Sequence, residues 1–222
     1  MKKLLIAGGC SFTHGDINWP VYLGEELNCS VNNVALPSLG NNLILHKTII
    51  AVQQALEKYS SDEILVGIVW SGITRYSFRA TGSLGKDNIN DINYFPTSIN
   101  GDKSWYQHSI HAVNFKKSDS FYKYHYDQTV AAMDTLEKII LAQKLLNDFK
   151  VDYFMGTFIE MFNKNNIDIN NSDVRYLYNF IDKSKFLPVD GILPNNPGGL
   201  HPTHQQSKKF VHKYIIPFLN ND

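Results

Sequence analysis

The chain has 222 residues, 43% of them hydrophobic, with 21 basic and 21 acidic side chains. A chain of this length suits one moderate-sized domain with a substantial core, so we predict a single domain over residues 1–222. Because the net charge is zero, no strong field draws in nucleic acid or an anionic membrane, and we expect neither as a partner. The apolar run after Lys3 is too short for a signal peptide, and no stretch is long enough to cross a membrane. We therefore expect a cytoplasmic protein with reduced cysteines.

Four short apolar runs, separated by helix-like segments, predict a parallel sheet. Continuous apolar runs are typical of strands that are covered on both faces. Strands that alternate with helices form parallel crossovers, so we predict a three-layer α/β/α fold. The predicted strands cover residues 4–7, 31–35, 64–70 and 151–158, and the predicted helices lie at about 19–28, 45–59, 132–149 and 204–219, with Pro217 fraying the end of the last helix.

One long segment after the third strand breaks this alternation. Residues 76–128 show neither a clear period nor a strong strand, yet they are rich in aromatic side chains. We predict an insertion that packs over the strand ends, where open α/β sheets bind their ligands. Alternatively, these aromatic side chains fill a secondary core and take no part in ligand binding.

A hydroxyl side chain follows the first predicted strand directly, in the segment GGCSFTHGD. Ser11 would stand at the carboxyl edge of the sheet, where a serine can act as a nucleophile. A serine at this place can also simply cap a turn, so Ser11 alone does not establish an activity. The adjacent Cys10 is expected to pack inward as a small apolar residue, because neighbouring residues leaving a strand point to opposite sides.

Three later segments place further polar groups near the same edge. After the second strand, Gly40 can expose its N–H, and Asn41 follows as a helix N-cap or as a substrate ligand. The third strand ends in the sequence VWSGITR, and its candidates are Trp70, Ser71, Thr74 and Arg75. Near the C-terminus, His201 lies in a loop rich in glycine and proline.

These segments resemble the motif blocks of the SGNH (GDSL-like) hydrolase superfamily, in particular an intracellular subset that begins G-C-S-F-T. Residues 9–13, 33–40 and 201–203 are similar to its nucleophile, glycine and histidine blocks, in the family's order. The resemblance implies a flavodoxin-like sheet and an esterase that uses no cofactor. It also implies Ser11 as nucleophile, His201 as general base, and the N–H groups of Ser11 and Gly40 as oxyanion donors. The expected substrate is a short-acyl ester, such as an O-acetyl group on a carbohydrate.

The chain departs from the family pattern in two blocks. Where the family reads G-x-N-D, this sequence has Gly72-Ile73-Thr74-Arg75, so Thr74 or Ser71 would replace the asparagine as an oxyanion donor. Arg75 would bind a substrate carboxylate or pair within the fold, and Trp70 and Asn41 are further candidates for substrate binding.

The second departure is the missing acid three residues before the histidine, where position 198 is glycine. A Ser–His dyad remains viable if another group fixes the imidazole tautomer. Asp190 or a backbone carbonyl of the Gly198-Gly199 turn could do so, and the sequence does not choose between them.

Two other classes of function compete with an esterase. A catalytically impaired glycan-binding protein would explain the missing acid and asparagine, and an acyltransferase would use the same nucleophile. A third possibility is a metal hydrolase, because the spacings His108-x-x-His111 and His201-x-x-His204 could place two histidines near one metal ion. Because Pro202 interrupts the second pair and no H-E-x-x-H motif is present, we expect no metal.

Overall fold

The computed structural model describes residues 1–79, 97–99, 102–109, 124, 126–189, 191–192 and 201–220, with the backbone alone for 78–79, 97–99 and 102–109. These residues form two sheets and their covering helices. The single-domain organisation stays a prediction.

The central sheet consists of four parallel strands, and this confirms the predicted parallel sheet. Its strands are β1 (Leu4–Gly8), β2 (Ser30–Asn33), β3 (Ile64–Trp70) and β7 (Asp152–Thr157). They lie in the order β2-β1-β3-β7, which is the beginning of a flavodoxin-like sheet. All residues of β1 and β3 are buried, whereas β2 is a largely exposed edge strand. Because β2 is largely exposed, its apolar signal is weak, and its predicted boundaries at 31–35 were less accurate than those of β1 and β3.

Helices cover both faces of this sheet, so the predicted three-layer fold is confirmed. Leu4 and Ile6 point into one core, whereas Leu5 and Ala7 point into the other, as the alternation of side chains along a strand requires. The first core is covered by α2 (Asn41–Leu56), α3 (Gln128–Asp148) and α4 (Ser172–Tyr178), and the second by α1 (Trp19–Leu27) and α5 (His204–Phe210).

The segment after β3 contains a second sheet, which corrects the expectation that residues 76–128 lack strands. Strands β4 (Arg75–Arg79), β5 (Thr97–Ile99) and β6 (Asp102–Ser109) pair antiparallel in the order β4-β6-β5. Backbone pairing with a distant strand stabilises these segments despite their irregular side-chain pattern. The aromatic side chains beyond Tyr76 lie outside the described residues up to Tyr124, so the proposed cover over the strand ends stays a prediction.

The C-terminal helical segment ends where predicted but changes its hydrogen-bond register on the way. After α5, a π-helical turn (Val211–Ile215) leads into α6 (Ile216–Leu219). Pro217 has no N–H to continue an α-helical ladder, and a wider turn just before it accommodates this loss. The prediction that Pro217 frays the end is wrong, because the chain stays helical through Leu219.

Stability at alkaline pH is expected to depend on Tyr153, a buried residue of β7. Burial, with a smaller contribution from Asp182, raises the pKa of Tyr153 from 10.0 to about 12. A raised pKa means that the folded state resists ionisation, so this stability is present below pH 10 and is lost as the pH rises towards about 12. Urea unfolding at about pH 8 and about pH 11 should show a smaller loss for Tyr153→Phe than for the unaltered protein. Tyr176 is exposed, so Tyr176→Phe is the control and should lose as much stability as the unaltered protein. An equal loss of stability in Tyr153→Phe and the unaltered protein would contradict the prediction.

Candidate active site

The carboxyl ends of three neighbouring strands meet at one edge of the central sheet. Gly8 of β1 pairs with Ile68 of β3, and Trp70 of β3 pairs with Thr157 of β7. The segments that leave these strands therefore start side by side. This edge is where parallel α/β sheets bind ligands, and it holds most of the candidate residues.

Ser11 lies in a single helical turn that begins directly after β1. The N–H groups of Thr13 and His14 both donate to the Cys10 carbonyl, at 2.9 and 3.0 Å. A turn that starts in this way leaves the N–H groups of Ser11 and Phe12 without an acceptor inside the turn. Ser11 is half-buried, so its hydroxyl and N–H stand at the edge of the sheet rather than in the core.

The close packing of this turn against β1 explains the glycine before Cys10. A Cβ at Gly9 would lie 2.2 Å from Thr13 Oγ1 and 3.1 Å from the Val69 carbonyl oxygen. Thr13 is fully buried there, and its hydroxyl accepts a hydrogen bond from Trp19 Nε1 at 3.1 Å. Gly9 therefore allows Thr13 to anchor the turn from beneath. Cys10 has no exposed surface, which confirms the prediction that it packs in the core.

Two side chains that the sequence analysis did not single out fasten the Ser11 turn to the end of β2. Asn33 Nδ2 donates to the Thr13 carbonyl at 2.8 Å, and Asn33 Oδ1 accepts from the Ala35 N–H at 3.2 Å. His14 Nδ1 donates to the Ala35 carbonyl at 2.9 Å. The only sequence signal for these contacts is the polar pair Asn32-Asn33, which interrupts the otherwise apolar segment 31–35.

His201 lies against the Ser11 turn through an aromatic contact. The His201 ring is 5.1 Å from the ring of Phe12, the residue after Ser11, with centroids as the reference points. The structure therefore brings the imidazole from near the C-terminus to the end of β1. In the part of the chain that is described, no hydrogen bond joins Ser11 Oγ to His201, whose side chain is exposed.

Phe158 connects the Phe12 ring to Arg75. The Phe12 ring packs 4.7 Å from the Phe158 ring, and the Arg75 guanidinium carbon lies 4.8 Å from the centre of Phe158. Phe158 follows β7 directly and donates its N–H to the Trp70 carbonyl at 3.1 Å. We call this series of His201, Phe12, Phe158 and Arg75 the edge stack. It spans the ends of β1, β3 and β7.

Gly40 is the N-cap of α2, and its N–H is already engaged. It donates to Ser77 Oγ on β4 at 3.0 Å. A Cβ at Gly40 would lie 2.8 Å from the Arg75 carbonyl oxygen, so glycine is required where β4 approaches α2. An oxyanion can use this N–H only if the Ser77 hydroxyl moves away. Ser77 is another residue that the sequence analysis missed.

Asn41 has a structural task. The prediction that it caps α2 is wrong, and its contacts within the fold argue against its predicted role in substrate binding. It is the first helical residue, after the Gly40 N-cap, and only 4% of its surface is exposed. Its Oδ1 accepts the Ser71 N–H at 2.8 Å, and its Nδ2 donates to the Ser71 carbonyl at 3.0 Å and to Thr135 Oγ1 at 3.2 Å. No polar atom of this amide is left for a substrate.

The remaining candidates after β3 divide into core and edge residues. Trp70 is completely buried and donates Nε1 to the Met155 sulfur at 3.4 Å, which argues against its predicted contact with substrate. Ser71 is also completely buried, and its hydroxyl has no hydrogen-bond partner among the described residues. Thr74 and Arg75 are half-buried, as expected for residues at the edge of a site.

Asp190 and the Gly198-Gly199 turn lie outside the described residues, so the choice between them as the group that orients His201 stays open. Among the residues that the structure does describe, no group of three His, Cys, Asp or Glu side chains could hold a metal ion. A search of the described helices also finds none with the length and apolar character needed to cross a membrane.

No family model matches the chain, and no curated protein matches it. Among solved structures, a member of the lipolytic protein G-D-S-L family from Veillonella parvula is 11% identical, with a TM-score of 0.44 over 95% of each chain. A psychrotrophic esterase from Pseudoalteromonas sp. is 8% identical, with a TM-score of 0.47 over 99% of this chain and all of that one. An acetyl xylan esterase from Butyrivibrio proteoclasticus is 13% identical, with a TM-score of 0.44 over 99% of this chain and 63% of that one. At these identities, any assignment of function depends on the residues of the site itself.

Proposed function

We propose that this protein is a serine esterase of the SGNH (GDSL-like) hydrolase superfamily, with Ser11 as its nucleophile and His201 as its general base. The observation that carries the proposal is the contact of the His201 ring with Phe12, directly beside Ser11. Phe12 and His201 come from opposite ends of the chain, and their contact lies at the edge of the sheet where α/β folds bind ligands. A serine beside an imidazole is the arrangement that nucleophilic acyl transfer requires.

In the proposed reaction, Ser11 Oγ forms a bond to the ester carbonyl carbon while the imidazole of His201 takes the hydroxyl proton. The tetrahedral intermediate then breaks its bond to the alcohol oxygen, and His201 returns the proton to that oxygen. Water attacks the acyl-enzyme in the same way and releases the acid. The absence of a Ser11–His201 hydrogen bond is compatible with this role, because catalytic hydrogen bonds often tighten only when substrate binds.

The developing negative charge needs N–H donors close to Ser11. The N–H of Ser11 has no acceptor within its turn, so it is the first donor of the proposed oxyanion hole. The Gly40 N–H is the second donor, provided that the oxyanion takes the place of Ser77 Oγ. Thr74 remains a proposed third donor at the edge, whereas the full burial of Ser71 argues against a direct contact with substrate.

The proposed substrate is a short-acyl ester, such as an O-acetyl group on a carbohydrate. Transfer of the acyl group to another alcohol instead of water would use the same acyl-enzyme and the same residues. Asp190 or a backbone carbonyl would orient His201 in either reaction.

A catalytically impaired glycan-binding protein is the second candidate function. One specific observation favours it, namely that the Gly40 N–H is occupied by Ser77 Oγ rather than open to an oxyanion. Losing one oxyanion donor typically costs a factor of about 10² to 10³ in rate. A protein of this kind would bind an ester without cleaving it at a useful rate.

The two candidates are separated by a fluorophosphonate probe, which modifies only an activated serine. We expect the probe to label Ser11, identified by peptide mass spectrometry, and p-nitrophenyl acetate to be hydrolysed faster than longer-chain esters. Both signals should disappear in Ser11→Ala because the attacking oxygen is lost.

Ser172→Ala is the matched control, because the Ser172 hydroxyl contacts only its neighbour Asp173 among the described residues. This variant should keep both the labelling and the hydrolysis. A folded protein that is neither labelled at Ser11 nor able to hydrolyse any ester in the series would reject the esterase and leave the glycan-binding candidate.

A further inference from the structure

Arg75 brings a positive charge to the candidate active site, and the part of the chain that the structure describes supplies no carboxylate to pair with it. Among the described residues, its buried Nη1 atom has no hydrogen-bond partner and none of the ion pairs includes Arg75. By contrast, the guanidinium of Arg175 donates to the carbonyls of Ile169 and Asn170 at 3.0 and 2.9 Å. A guanidinium group that loses water without gaining an acceptor destabilises the fold, because charged donors are costly to leave unpaired.

The contact with Phe158 offsets only part of this cost. The Arg75 guanidinium lies over the face of that ring, at 4.8 Å, where a cation is attracted by the ring electrons. A ring face accepts no hydrogen bond in the plane of the guanidinium. The N–H groups in that plane are the ones that bind carboxylates through two parallel hydrogen bonds. The ring contact therefore leaves the Nη1 donor of Arg75 without an acceptor among the described residues.

The position of Arg75 connects this donor to the proposed reaction. Phe158 packs against Phe12, and Phe12 packs against His201, so Arg75 stands at the opposite end of the edge stack from the general base. A ligand anion bound to Arg75 would lie at the same sheet edge as Ser11, separated from it by the Phe158 and Phe12 rings. This arrangement suits an ester that carries a negative charge away from its scissile bond.

We propose that the substrates of this site are esters that carry a carboxylate, and that Arg75 binds this carboxylate as a specificity-determining residue. The inference rests on the proposed esterase activity and narrows its substrate class. A carboxylate is favoured over a phosphate because one guanidinium group matches a single negative charge, and no other cationic side chain takes part in the edge stack. Binding the charge remote from the ester bond would position the carbonyl for attack by Ser11.

The first test compares matched ester pairs that differ in one negative charge. p-Nitrophenyl hydrogen succinate and p-nitrophenyl butyrate place the carboxylate on the acyl group, whereas 4-acetoxybenzoate and its methyl ester place it on the alcohol. We expect at least about a tenfold preference in kcat/KM for the charged member of one pair, since charge-assisted bidentate hydrogen bonds are the strong ones. This preference should fall to near unity in Arg75→Gln and stay partial in Arg75→Lys. Arg175→Gln, the matched control, should keep it.

The second test measures binding without turnover. Disodium succinate should raise the melting temperature of Ser11→Ala, and this rise should be absent when Arg75→Gln is added, because a ligand that binds only the folded state stabilises it. Sodium phosphate and sodium sulfate at equal ionic strength are the comparisons. A larger rise with either of them than with succinate would overturn the choice of a carboxylate.

The two tests separate failure of the inference from failure of the proposed function. Labelling of Ser11 with equal kcat/KM for the charged and neutral esters would overturn the inference and leave the esterase intact. Arg75-dependent binding of succinate without hydrolysis of any ester would reject the esterase and identify Arg75 as the anion site of a binding protein. If Arg75→Gln does not fold, Arg75→Lys decides the matter, because it keeps the charge and removes the planar set of donors.

Discussion

His201→Gln is expected to lower kcat by a factor of about 10² to 10⁴ and to change KM much less. Glutamine keeps a polar side chain of similar reach but cannot take a proton from Ser11. The His201 side chain is exposed and its only described ring contact is with Phe12, so the substitution should leave the fold intact. Steady-state kinetics with p-nitrophenyl acetate, together with urea unfolding curves, measure both effects.

Two other histidines serve as controls for this prediction. His204 lies three residues later and contacts the Tyr22 hydroxyl, away from the edge stack, so His204→Gln should keep its activity within a few-fold. His14 follows Ser11 by three residues on the same turn, and its Nδ1 is held by the Ala35 carbonyl. A large loss of kcat in His14→Gln, with normal activity in His201→Gln, would assign the base to His14 and contradict the proposed pair.

Asn41→Ala is expected to destabilise the protein by about 3 to 5 kcal/mol, because it leaves several buried polar groups without partners. The buried amide of Asn41 bonds both backbone groups of Ser71 and the Thr135 hydroxyl, so it joins α2, the end of β3 and α3. Alanine can supply none of these bonds, and the cavity left behind is too enclosed for easy access by water. The midpoint of urea unfolding reports the change.

The next residue along α2 provides the control for Asn41. Asn42 is half-buried and makes one described hydrogen bond, from Nδ2 to the Ser77 carbonyl at 2.6 Å, so Asn42→Ala should cost only about 1 kcal/mol. If Asn41 were instead a substrate ligand, its replacement would raise KM and leave the unfolding midpoint unchanged. A raised KM with an unchanged unfolding midpoint would therefore support Asn41 as a substrate-binding residue.

The strands and helices of the central layer could be predicted because each is encoded by local pattern. Continuous apolar runs located β1, β3 and β7 to within a residue or two, since burial on both faces demands apolar side chains throughout. The antiparallel sheet was missed because β4 and β6 are joined by backbone pairing across a long connection. Such pairing leaves little trace in side-chain periodicity.

The candidate site likewise contains residues that local sequence motifs predict and residues whose contacts depend on distant parts of the chain. Ser11 and His201 could be proposed from their motifs, and the structure places their segments in contact through Phe12. The contacts of Asn33 and Ser77 with the site could not be predicted, because each depends on a backbone atom far away in the sequence. Asn41 was misjudged for a related reason. The polar side chain next to a glycine motif gave no sign that its partners would be Ser71 and Thr135.

If Gly40 acts as proposed, its hydrogen bond to Ser77 would involve the antiparallel sheet in turnover. Ser77 belongs to β4, and in the proposed reaction the carbonyl oxygen would have to replace its hydroxyl as the acceptor of the Gly40 N–H. Each catalytic cycle would thus begin with an exchange in which the incoming oxygen displaces the serine hydroxyl, and end with the return of that hydroxyl. The free enzyme would keep its second donor satisfied between cycles, and the cost of releasing Ser77 would count against the affinity for every substrate.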